Sequence, residues 1–311
     1  FLLPSLQRLV VANVRPAAGS GPRILVLTPT RELSMQVTRA CDTYGRTLRW
    51  LRTASVVGGV PYGAQLRAVR APLDVLVATP GRLLDLLNGG RLSLSNVEVL
   101  VLDEADRMLD MGFIEDIQAI AAATPSARQT LLFSATLDGT VARLAADLMR
   151  DPKRLEFASH RDNQEHITQT LHWADHRTHK DRLLDRLLAD PTIDQAIVFT
   201  STQRDAERLS EKLEADGHSV AALHGGMPQG VRTRTLTGLR QGRLRVLVAT
   251  DVAARGIDVP TISHVINYGL PIAAEDYVHR IGRTGRAGRT GIAVTLAEHG
   301  EIRKKIGRAH V

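Results

Sequence analysis

The chain has 311 residues, of which 43% are apolar and 23% charged, a composition that excludes a mainly disordered protein. Its 40 basic and 33 acidic residues give a formal net charge of +7, which weakly favours a polyanionic partner. The one cysteine, Cys41, excludes an internal disulfide and is expected to be a small buried residue. No apolar run reaches the roughly 18 residues that cross a bilayer, so we expect a cytoplasmic protein without membrane contact.

Short apolar runs alternate with amphipathic segments along the chain. Apolar runs without polar alternation are typical of strands that are buried on both faces. The predicted strands are Ile24 to Leu27, Val75 to Ala78, Val97 to Leu102, Thr130 to Phe133, Ala196 to Phe199, Val220 to Leu223, Val246 to Ala249, Val265 to Asn267 and Ala293 to Leu296. The predicted helices are Arg31 to Tyr44, Gly63 to Val69, Ile114 to Ala123, Arg177 to Ala189 and Gln203 to Asp216. This alternation predicts an α/β fold with mainly parallel sheets flanked by helices.

A polar segment divides the chain into two similar halves. Residues 158–166 have no apolar period and lie between two complete sets of strands and helices, so we predict a linker there. The predicted domains are residues 1–157 and 167–305, each with the same architecture. Residues 306–311 read either like a translated sequencing adapter or like a natural helix end, and we give them no functional role.

Polar clusters begin where the predicted strands stop. They start at Thr28, Ala78, Asp103, Ser134 and Thr250. In open α/β sheets the ligand crevice lies outside the carboxyl ends of the strands, so we expect these clusters to line binding sites. Two such crevices that face each other would form one site between the domains.

Asp103 and Glu104 follow the apolar run that ends at Leu102. A short carboxylate at a strand end can hold Mg²⁺ directly or through water, and a neighbouring glutamate can orient or deprotonate an attacking water. A lone Asp-Glu pair at a strand end more often caps the next helix. The polar and small residues that continue to Asp106, and the segment from Arg107 to Phe113, favour the catalytic interpretation.

The segment from His279 to Arg289 is a loop of four arginines interrupted by three glycines. Glycines let the backbone come close to a ligand, and guanidinium groups can offset the charge on a transferring phosphoryl group, as a cis arginine finger does. A solvated or RNA-contacting turn is the alternative. The loop alone does not decide between them.

Nine short motifs follow one another along the chain. They are Pro29-Thr30-Arg31-Glu32-Leu33, Gly58-Gly59, Thr79-Pro80-Gly81-Arg82, Asp103 to Asp106, Ser134-Ala135-Thr136, Val198 to Thr202, Gln229 to Arg232, Asp251 to Asp258 and His279 to Arg286. In this order, over residues 1 to about 300, the chain resembles the core of the DEAD-box ATP-dependent RNA helicases of superfamily 2. The resemblance implies two tandem RecA-like domains, ATP and Mg²⁺ as cofactors, RNA as partner, and local unwinding without translocation.

The resemblance also implies a role for individual residues. Asp103 would bind Mg²⁺, partly through water, and Glu104 would position the lytic water. Arg283 and Arg286 would contact the γ-phosphate, while the other implied nucleotide contacts are Gly256 and Asp258. The residues implied to couple nucleotide state to domain closure are Asp106, Ser134, Thr136, His279 and Arg280.

The implied RNA contacts lie in both halves of the chain. They are Pro29, Thr30, Arg31, Gly58, Gly59, Thr79, Pro80, Gly81 and Arg82, with Arg232 and Thr250 in the second half. These residues would hold the sugar-phosphate backbone of one strand, which gives affinity without sequence reading. Ribonucleoprotein or RNA-degradation partners would bind through tails outside these residues, and a monomer is expected. The Arg-rich, Lys-poor composition suggests a GC-rich bacterial genome.

One family feature is missing from the 311 residues. The family places a glutamine-containing adenine-recognition segment and a Gly-x-x-x-x-Gly-Lys-Thr phosphate loop before the point where this chain begins, and the chain contains no Gly-Lys-Thr or Gly-Lys-Ser. We therefore expect this polypeptide to hydrolyse ATP negligibly and its full-length parent to be active. A nucleotide-independent RNA-binding or annealing module is the alternative. A DNA-directed relative is disfavoured by the Asp-Glu-Ala-Asp and Thr-Pro-Gly-Arg motifs.

Three histidines and two tryptophans suggest functions that we do not adopt. His172, His176 and His179 run from a predicted strand into a predicted helix, so no single face carries all three and no metal site is expected. Trp50 and Trp173 have apolar neighbours, so we expect both to pack against the protein rather than to stack on bases.

Overall fold

The computed structural model describes residues 1–14, 16–137, 139–156, 166–254, 257, 259, 261–272, 274–286 and 288–301. The chain divides into two compact units, Phe1–Arg154 and Leu155–Val311. Most of the predicted linker, residues 158–165, and all of the predicted tail, residues 306–311, lie outside the described residues. No described helix has the length and apolar character needed to cross a membrane.

The first unit is a parallel sheet flanked by helices. Its strands are β1 Ile24–Leu27, β2 Thr53–Val56, β3 Val75–Ala78, β4 Val99–Leu102 and β5 Gln129–Leu132. Its helices are α1 Leu2–Ala12, α2 Arg31–Tyr44, α3 Tyr62–Arg70, α4 Pro80–Asn88, α5 Ala105–Asp110, α6 Ile114–Ala122 and α7 Gly139–Leu148. The strand order is β2-β3-β1-β4-β5, and all pairs are parallel.

The second unit repeats this arrangement. Its strands are β6 Ile167–Ala174, β7 Ala196–Thr200, β8 Val220–Leu223, β9 Val246–Thr250, β10 His264–Asn267 and β11 Gly291–Glu298. Its helices are α8 Arg177–Leu188, α9 Gln203–Ala215, α10 Gln229–Arg240, α11 Asp251–Ala254 and α12 Ala274–Ile281. The order is β6-β11-β10-β7-β9-β8, again with parallel pairs only. Apart from the added β6, the two sheets therefore have the same strand order.

The central strands confirm the predicted parallel α/β fold. Every residue of β1, β3 and β4 is buried, as expected for strands covered on both faces. In β1, Leu25 and Leu27 pack into one apolar cluster and Ile24 and Val26 into another, so the core of the first unit lies on both faces of its sheet. Helices on both sides of each sheet exclude water from these strands.

Two strands were not predicted, and both lie at sheet edges. β2 has the sequence Thr-Ala-Ser-Val, and β6 is exposed at all but its first and last residues, Ile167 and Ala174. An edge strand has one neighbour and needs little apolar surface, so its sequence lacks the apolar run of a central strand. β5 is also partly exposed and begins at Gln129, one residue before its predicted start.

Candidate functional site

The predicted polar clusters gather at the carboxyl edge of each sheet. Asp103 directly follows β4, and Ser134 lies two residues beyond the end of β5. Thr28, Val57 and Thr79 directly follow β1, β2 and β3. Because these strands are parallel neighbours, their carboxyl ends lie at one edge, as the sequence predicts. The acidic cluster follows β4, which lies on one side of β1. The predicted RNA-binding loops follow β1 itself and also β3 and β2, which lie on its other side.

The electrostatic environment of Asp103 is dominated by burial and by a neighbouring carboxylate. Burial, and then the charge of Glu104, raise the pKa of Asp103 from 3.8 to about 6. The backbone N–H of Asp103 donates a hydrogen bond to the carbonyl oxygen of Leu27 at 3.0 Å, which fixes the residue at the end of β4. A partly buried carboxylate beside a second carboxylate is well suited to a hard cation with oxygen ligands.

Glu104 adopts a backbone conformation that is rare for a residue with a side chain. Its φ of 55° and ψ of 56° lie in the left-handed region, where a non-glycine residue is strained. Its Oε2 atom is buried, has no hydrogen-bond partner in the described part of the chain, and lies 4.0 Å from Nε of Arg107. This oxygen therefore keeps an unused hydrogen-bond acceptor inside the protein.

These observations fit a bound Mg²⁺. Asp103 offers a short carboxylate whose raised pKa a cation would lower, and the adjacent Glu104 adds negative charge. The described residues include no group of three or more His, Cys, Asp or Glu that could form a closed metal site. One or two carboxylates with phosphate and water as further ligands are the usual environment of Mg²⁺ at nucleotide sites.

The Ser134-Ala135-Thr136 segment contacts the start of α5. The backbone N–H of Asp106 donates to Ser134 Oγ at 3.3 Å, and Ser134 Oγ donates to the carbonyl oxygen of Thr136 at 2.6 Å. The N–H of Ala105 also donates to the carbonyl oxygen of Phe133 at 2.9 Å. Three of the predicted coupling residues of the first unit are thus joined by hydrogen bonds.

Arg31 lies against the Gly58-Gly59 loop. Thr30 caps α2, since its Oγ1 accepts a hydrogen bond from the N–H of Leu33 at 3.3 Å, and Arg31 is the first helical residue. A Cβ atom added to Gly59 would lie 2.1 Å from Arg31 Nη1, and one on Gly58 would lie 3.1 Å from Nη2. Gly59 also has a φ of 72°. The loop therefore requires glycine for its backbone conformation and to leave space for the guanidinium group.

Gln65 is a structural residue of this loop that the sequence motifs do not indicate. It is 3% exposed, accepts a hydrogen bond from the N–H of Val57 at 3.1 Å, and donates to the carbonyl oxygens of Val57 and Val60 at 3.0 and 3.1 Å. The spacing of a glutamine six residues after the glycine pair was the available signal. A polar residue on a short helix is ordinarily solvent-exposed, so the signal was weak.

The predicted RNA residues of the first unit differ in exposure. Pro29, Thr30, Thr79 and Pro80 are buried, and they shape the starts of α2 and α4. The members of the predicted set with accessible surface are Arg31, Gly58, Gly59, Gly81 and Arg82. The guanidinium carbon of Arg82 lies 5.6 Å from the ring centroid of Tyr62, a residue outside the motifs.

Arg280 is buried inside the second unit. Its side chain is 2% exposed, and its Nε and Nη2 lie 2.5 and 2.7 Å from the two carboxylate oxygens of Asp251. It also donates to Asn267 Oδ1 at 3.2 Å and lies 5.0 Å from the ring centroid of Phe199. These contacts join the ends of β7, β9 and β10 to α12.

Arg283 and Arg286 lie just after α12 and are partly exposed. Arg283 donates from Nη1 to the carbonyl oxygen of Ile257 at 3.0 Å, and Arg286 donates from Nε to that of Gly282 at 2.7 Å. Both predicted phosphate-binding arginines are thus held near the backbone of their own unit. Gly256 and Asp258, the other predicted nucleotide contacts, lie outside the described residues.

The Gly225-Gly226 loop of the second unit resembles the Gly58-Gly59 loop of the first. Thr202 caps α9, and the next residue is Gln203. A Cβ atom added to Gly226 would lie 2.7 Å from Oε1 of Gln203. Arg232 is 7% exposed and donates from Nη1 to the carbonyl oxygen of His224 at 2.9 Å, so it supports this loop from within. Thr250 is the last residue of β9 and is partly exposed.

Two of the three histidines make local contacts at the start of α8. His172 lies on β6, whereas His176 caps α8 by accepting a hydrogen bond from the N–H of His179 at 3.1 Å. His179 Nδ1 lies 3.0 Å from Asp175 Oδ2. The cap and the pairing with Asp175 are local structural contacts of the start of α8.

The two tryptophans behave differently. Trp50 packs against an apolar cluster of the first unit, as predicted. Trp173 also packs against the protein, but at the surface: it is 42% exposed on the edge strand β6 and stacks on the ring of His299 with a centroid distance of 5.3 Å. Cys41 is fully buried, as expected, and burial raises the pKa of its thiol to about 12.

Comparison with known proteins identifies the fold and the family. Residues 1–144 match the DEAD/DEAH box helicase family, and residues 179–288 match the helicase conserved C-terminal domain. The ATP-dependent RNA helicase DeaD of Buchnera aphidicola is 46% identical over 97% of this chain and 49% of its own length. SrmB of Haemophilus influenzae is 44% identical over 96% of this chain and 67% of its own length.

A solved structure gives the same result. The S. cerevisiae protein Dbp5 bound to RNA and ADP BeF3 has a TM-score of 0.82 and 32% identity, and the match covers 98% of this chain and 80% of that one. The two units are therefore tandem RecA-like domains. The chain belongs to the DEAD-box ATP-dependent RNA helicase family, as its motifs predict. It spans about half the length of the first relatives that it matches.

Proposed function

We propose that this chain is the core of an ATP-dependent RNA helicase that holds single-stranded RNA and separates duplexes locally while ATP is hydrolysed. The proposal rests on one observation: at the carboxyl edge of the first sheet, the acidic residues and the predicted RNA-binding residues follow different strands. Asp103 and Glu104 follow β4, whereas Arg31 and the Gly58-Gly59 loop lie at the ends of β1 and β2. A nucleotide and an RNA strand can therefore bind to the same unit through different residues.

The proposed hydrolysis uses carboxylates of the first unit and guanidinium groups of the second. Asp103 would hold Mg²⁺, which when bound offsets the negative charge of the phosphates. Glu104 would orient the attacking water and accept its proton on its carboxylate. Arg283 and Arg286 would exchange their present carbonyl partners for the γ-phosphate and stabilise the charge that develops there.

The proposed RNA contact is made with the sugar-phosphate backbone. Arg31, Arg82 and the glycine loop would hold phosphates and sugars in the first unit, and Thr250 and the loop supported by Arg232 would do so in the second. RNA and ATP would favour the same state of the chain, so each would raise the affinity for the other by the same factor. Hydrolysis would release the RNA.

The hydrogen bond between the Asp106 amide and Ser134 Oγ supports a coupling role. At 3.3 Å it connects the segment that follows β4, where the nucleotide would bind, with the segment that follows β5. A change in the position of Asp103 or Glu104 would be transmitted to the Ser-Ala-Thr segment through this contact. We assign Thr136 and His279 to the same relay by resemblance to the family.

A nucleotide-independent RNA-binding or annealing module is the second candidate for the 311 residues themselves. They contain no Gly-Lys-Thr or Gly-Lys-Ser, and so lack the lysine and backbone N–H groups that hold β- and γ-phosphates. A polypeptide of these residues alone is therefore proposed to hydrolyse ATP negligibly. Extending it with a family phosphate loop at its amino end should restore RNA-stimulated turnover.

Equilibrium RNA binding with and without a nonhydrolysable ATP analogue separates the two candidates. The helicase core predicts tighter binding to single-stranded RNA when the analogue is present, whereas a pure binder predicts equal affinities. The extended polypeptide is the matched comparison, and its Glu104→Gln variant should bind ATP and RNA but lose turnover. Equal ATPase stimulation by DNA and RNA of the same sequence would contradict the proposed RNA preference.

The remaining assignments are proposals about organisation. We propose domains at residues 1–157 and 167–305 joined by a linker at 158–166, and a monomer that acts in a bacterial cytoplasm. Limited proteolysis should cut first within 158–166, and light scattering should give the mass of one chain. Contacts with ribonucleoprotein or RNA-degradation partners would require segments outside these residues.

A further inference from the structure

Tyr62 is an aromatic residue beside the proposed RNA surface. It is the first residue of α3, three residues after Gly59, and its side chain is 41% exposed. Pro61, which precedes it, and Gln65, which fixes residues 57 and 60, hold the start of this helix in place. The ring therefore stands at a defined position at the carboxyl edge of the first sheet.

The ring of Tyr62 lies close to the guanidinium group of Arg82. The guanidinium carbon lies 5.6 Å from the ring centroid, within the range of a cation–π interaction. On α4, Arg82 Nε lies 3.8 Å from Asp85 Oδ2, and the Arg82 side chain is 19% exposed. Arg82 is thus restricted by an aromatic ring from α3 and by a carboxylate from its own helix, while part of it stays accessible.

We propose that Tyr62 is a positioning residue that holds the Arg82 guanidinium in the orientation in which it binds an RNA phosphate. This inference rests on the proposed function, in which Arg82 contacts RNA. A free arginine side chain has many rotamers, and binding must restrict them. A ring that already restricts the guanidinium reduces that cost, which is how preorganisation raises affinity.

The nature of the contact makes the proposal testable by a graded series. A cation–π interaction weakens from tryptophan to tyrosine and phenylalanine, and is lost with an aliphatic or amide side chain. Binding of a fluorescein-labelled single-stranded oligouridylate to the whole chain is measured by anisotropy at low salt. We expect Tyr62→Phe to stay within about twofold of the parent, and Tyr62→Leu and Tyr62→Gln to weaken binding by about two- to fivefold.

A second variant tests whether Tyr62 acts through Arg82. In an Arg82→Ala background, Tyr62→Leu should cause no further loss, because the group that it positions is absent. The slope of log affinity against log salt should fall by about 0.7 in Arg82→Ala, the value for one phosphate contact to a single strand. Tyr62→Leu should also lower this slope, but by less than Arg82→Ala does. A merely structural role of Tyr62 would not change the slope.

Controls separate these effects from unfolding. Tyr44, an exposed tyrosine at the end of α2, provides the matched variant Tyr44→Leu, which should leave RNA affinity unchanged. Thermal unfolding of each Tyr62 variant should remain within a few degrees of the parent, because Tyr62 is 41% exposed and lies outside the apolar core. Tyr62→Gln repeats the test with a polar side chain should Tyr62→Leu aggregate.

The possible results distinguish this inference from the proposed function. If Arg82→Ala leaves RNA binding unchanged, the RNA contact of Arg82 is wrong, and the positioning role fails with it. If Arg82→Ala weakens binding but Tyr62→Leu has the same effect with and without Arg82, Tyr62 contacts RNA itself and only the positioning role is wrong. Equal affinities of Tyr62→Leu and Tyr62→Phe would also overturn it.

Discussion

Arg280 and Asp251 form a two-point ion pair inside the second unit, with distances of 2.5 Å and 2.7 Å between their nitrogen and oxygen atoms. The Arg280 side chain is 2% exposed, and that of Asp251 is 23% exposed. Such a pair holds the start of α11 against α12, the helix that leads to Arg283. Arg280 is therefore a structural support of the proposed phosphate-binding segment, whatever part it plays in coupling.

The first prediction concerns the stability of this pair. Arg280→Ala leaves Asp251 partly buried without its partner, and removal of one member of a buried ion pair costs about 3–5 kcal/mol. We expect a loss in the lower part of this range, because Asp251 retains some contact with water. Arg280→Lys should recover only part of the loss, because lysine cannot make the paired contact.

Urea unfolding of the chain measures these losses. Arg289→Ala is the control, since Arg289 is an exposed arginine of the same segment and its removal should change the free energy of unfolding by less than about 0.5 kcal/mol. Equal stability of Arg280→Ala and the parent would show that the pair contributes nothing to the fold. Arg280 would then have to act through ligand contact alone.

The second prediction concerns the strained backbone of Glu104. Glycine adopts a φ of 55° readily, so Glu104→Gly should relieve strain of about 1 kcal/mol or more, partly offset by the greater freedom of glycine in the unfolded chain. The substitution also removes the proposed general base. We therefore expect Glu104→Gly to be at least as stable as the parent, but inactive as an ATPase in the extended polypeptide.

Two variants interpret this result. Glu104→Gln keeps the strain and the shape of the side chain, so it should match the parent in stability while it loses activity. Asn13→Gly replaces another residue with positive φ, at the end of α1, where asparagine already tolerates the conformation, so the gain there should be small. A clear loss of stability in Glu104→Gly, measured by thermal unfolding, would contradict the strain argument.

Arg280 also illustrates what a single sequence reveals and what it does not. The central strands β1, β3 and β4 could be predicted, because strands covered on both faces need continuous apolar runs. The position of Asp103 followed from the end of one such run. The pairing of Arg280 with a residue 29 positions away could not be predicted, because it depends on how the β9 and β10 ends come together.

The glycine loop of the first unit could also be predicted only in part from the sequence. The motif identified Gly58 and Gly59 as candidate RNA contacts, but only the structure places Arg31 against them. Gln65 was missed because a polar residue on a short helix is ordinarily exposed, and Tyr62 because its partner Arg82 lies on another helix. Edge strands were missed for a different reason, since β2 and β6 need no apolar run.

The third prediction concerns the space that Arg31 occupies at Gly59. In Gly59→Ala the new Cβ would lie 2.1 Å from Arg31 Nη1, so the guanidinium group must move. A charge-assisted hydrogen bond contributes about 1.5–3 kcal/mol, so loss of the Arg31 contact should weaken RNA binding by about tenfold or more. Anisotropy with a labelled single strand measures the effect.

Gly90→Ala is the matched control for backbone strain. Gly90 also has a positive φ, 61°, but no atom lies within 4 Å of its added Cβ. Both variants should lose stability through the strained backbone, but only Gly59→Ala should lose RNA affinity. Loss of affinity in both would mean that general destabilisation, and not displacement of Arg31, weakens binding.

The last prediction concerns the buried thiol of Cys41. Burial raises its pKa from 9.0 to about 12, so the folded chain holds a neutral thiol at pH 8 that is covered by protein. Alkylation by iodoacetamide at pH 8 should therefore be slow in the folded chain and fast in urea. Rapid labelling of the folded chain, with the circular dichroism spectrum unchanged, would contradict the proposed burial.

The same shift predicts how stability changes at alkaline pH. Above about pH 9 the unfolded chain ionises Cys41, whereas the folded chain does not until about pH 12, so ionisation favours unfolding. The stability that the neutral Cys41 thiol contributes is complete below pH 9. It decreases as pH rises to 12, by at most about 1.4 kcal/mol per pH unit. Cys41→Ala should lower stability at pH 8 through the cavity it leaves, but its decline above pH 9 should be shallower. Parallel stability curves for the two proteins between pH 8 and 11 would mean that the thiol has the same pKa in both states.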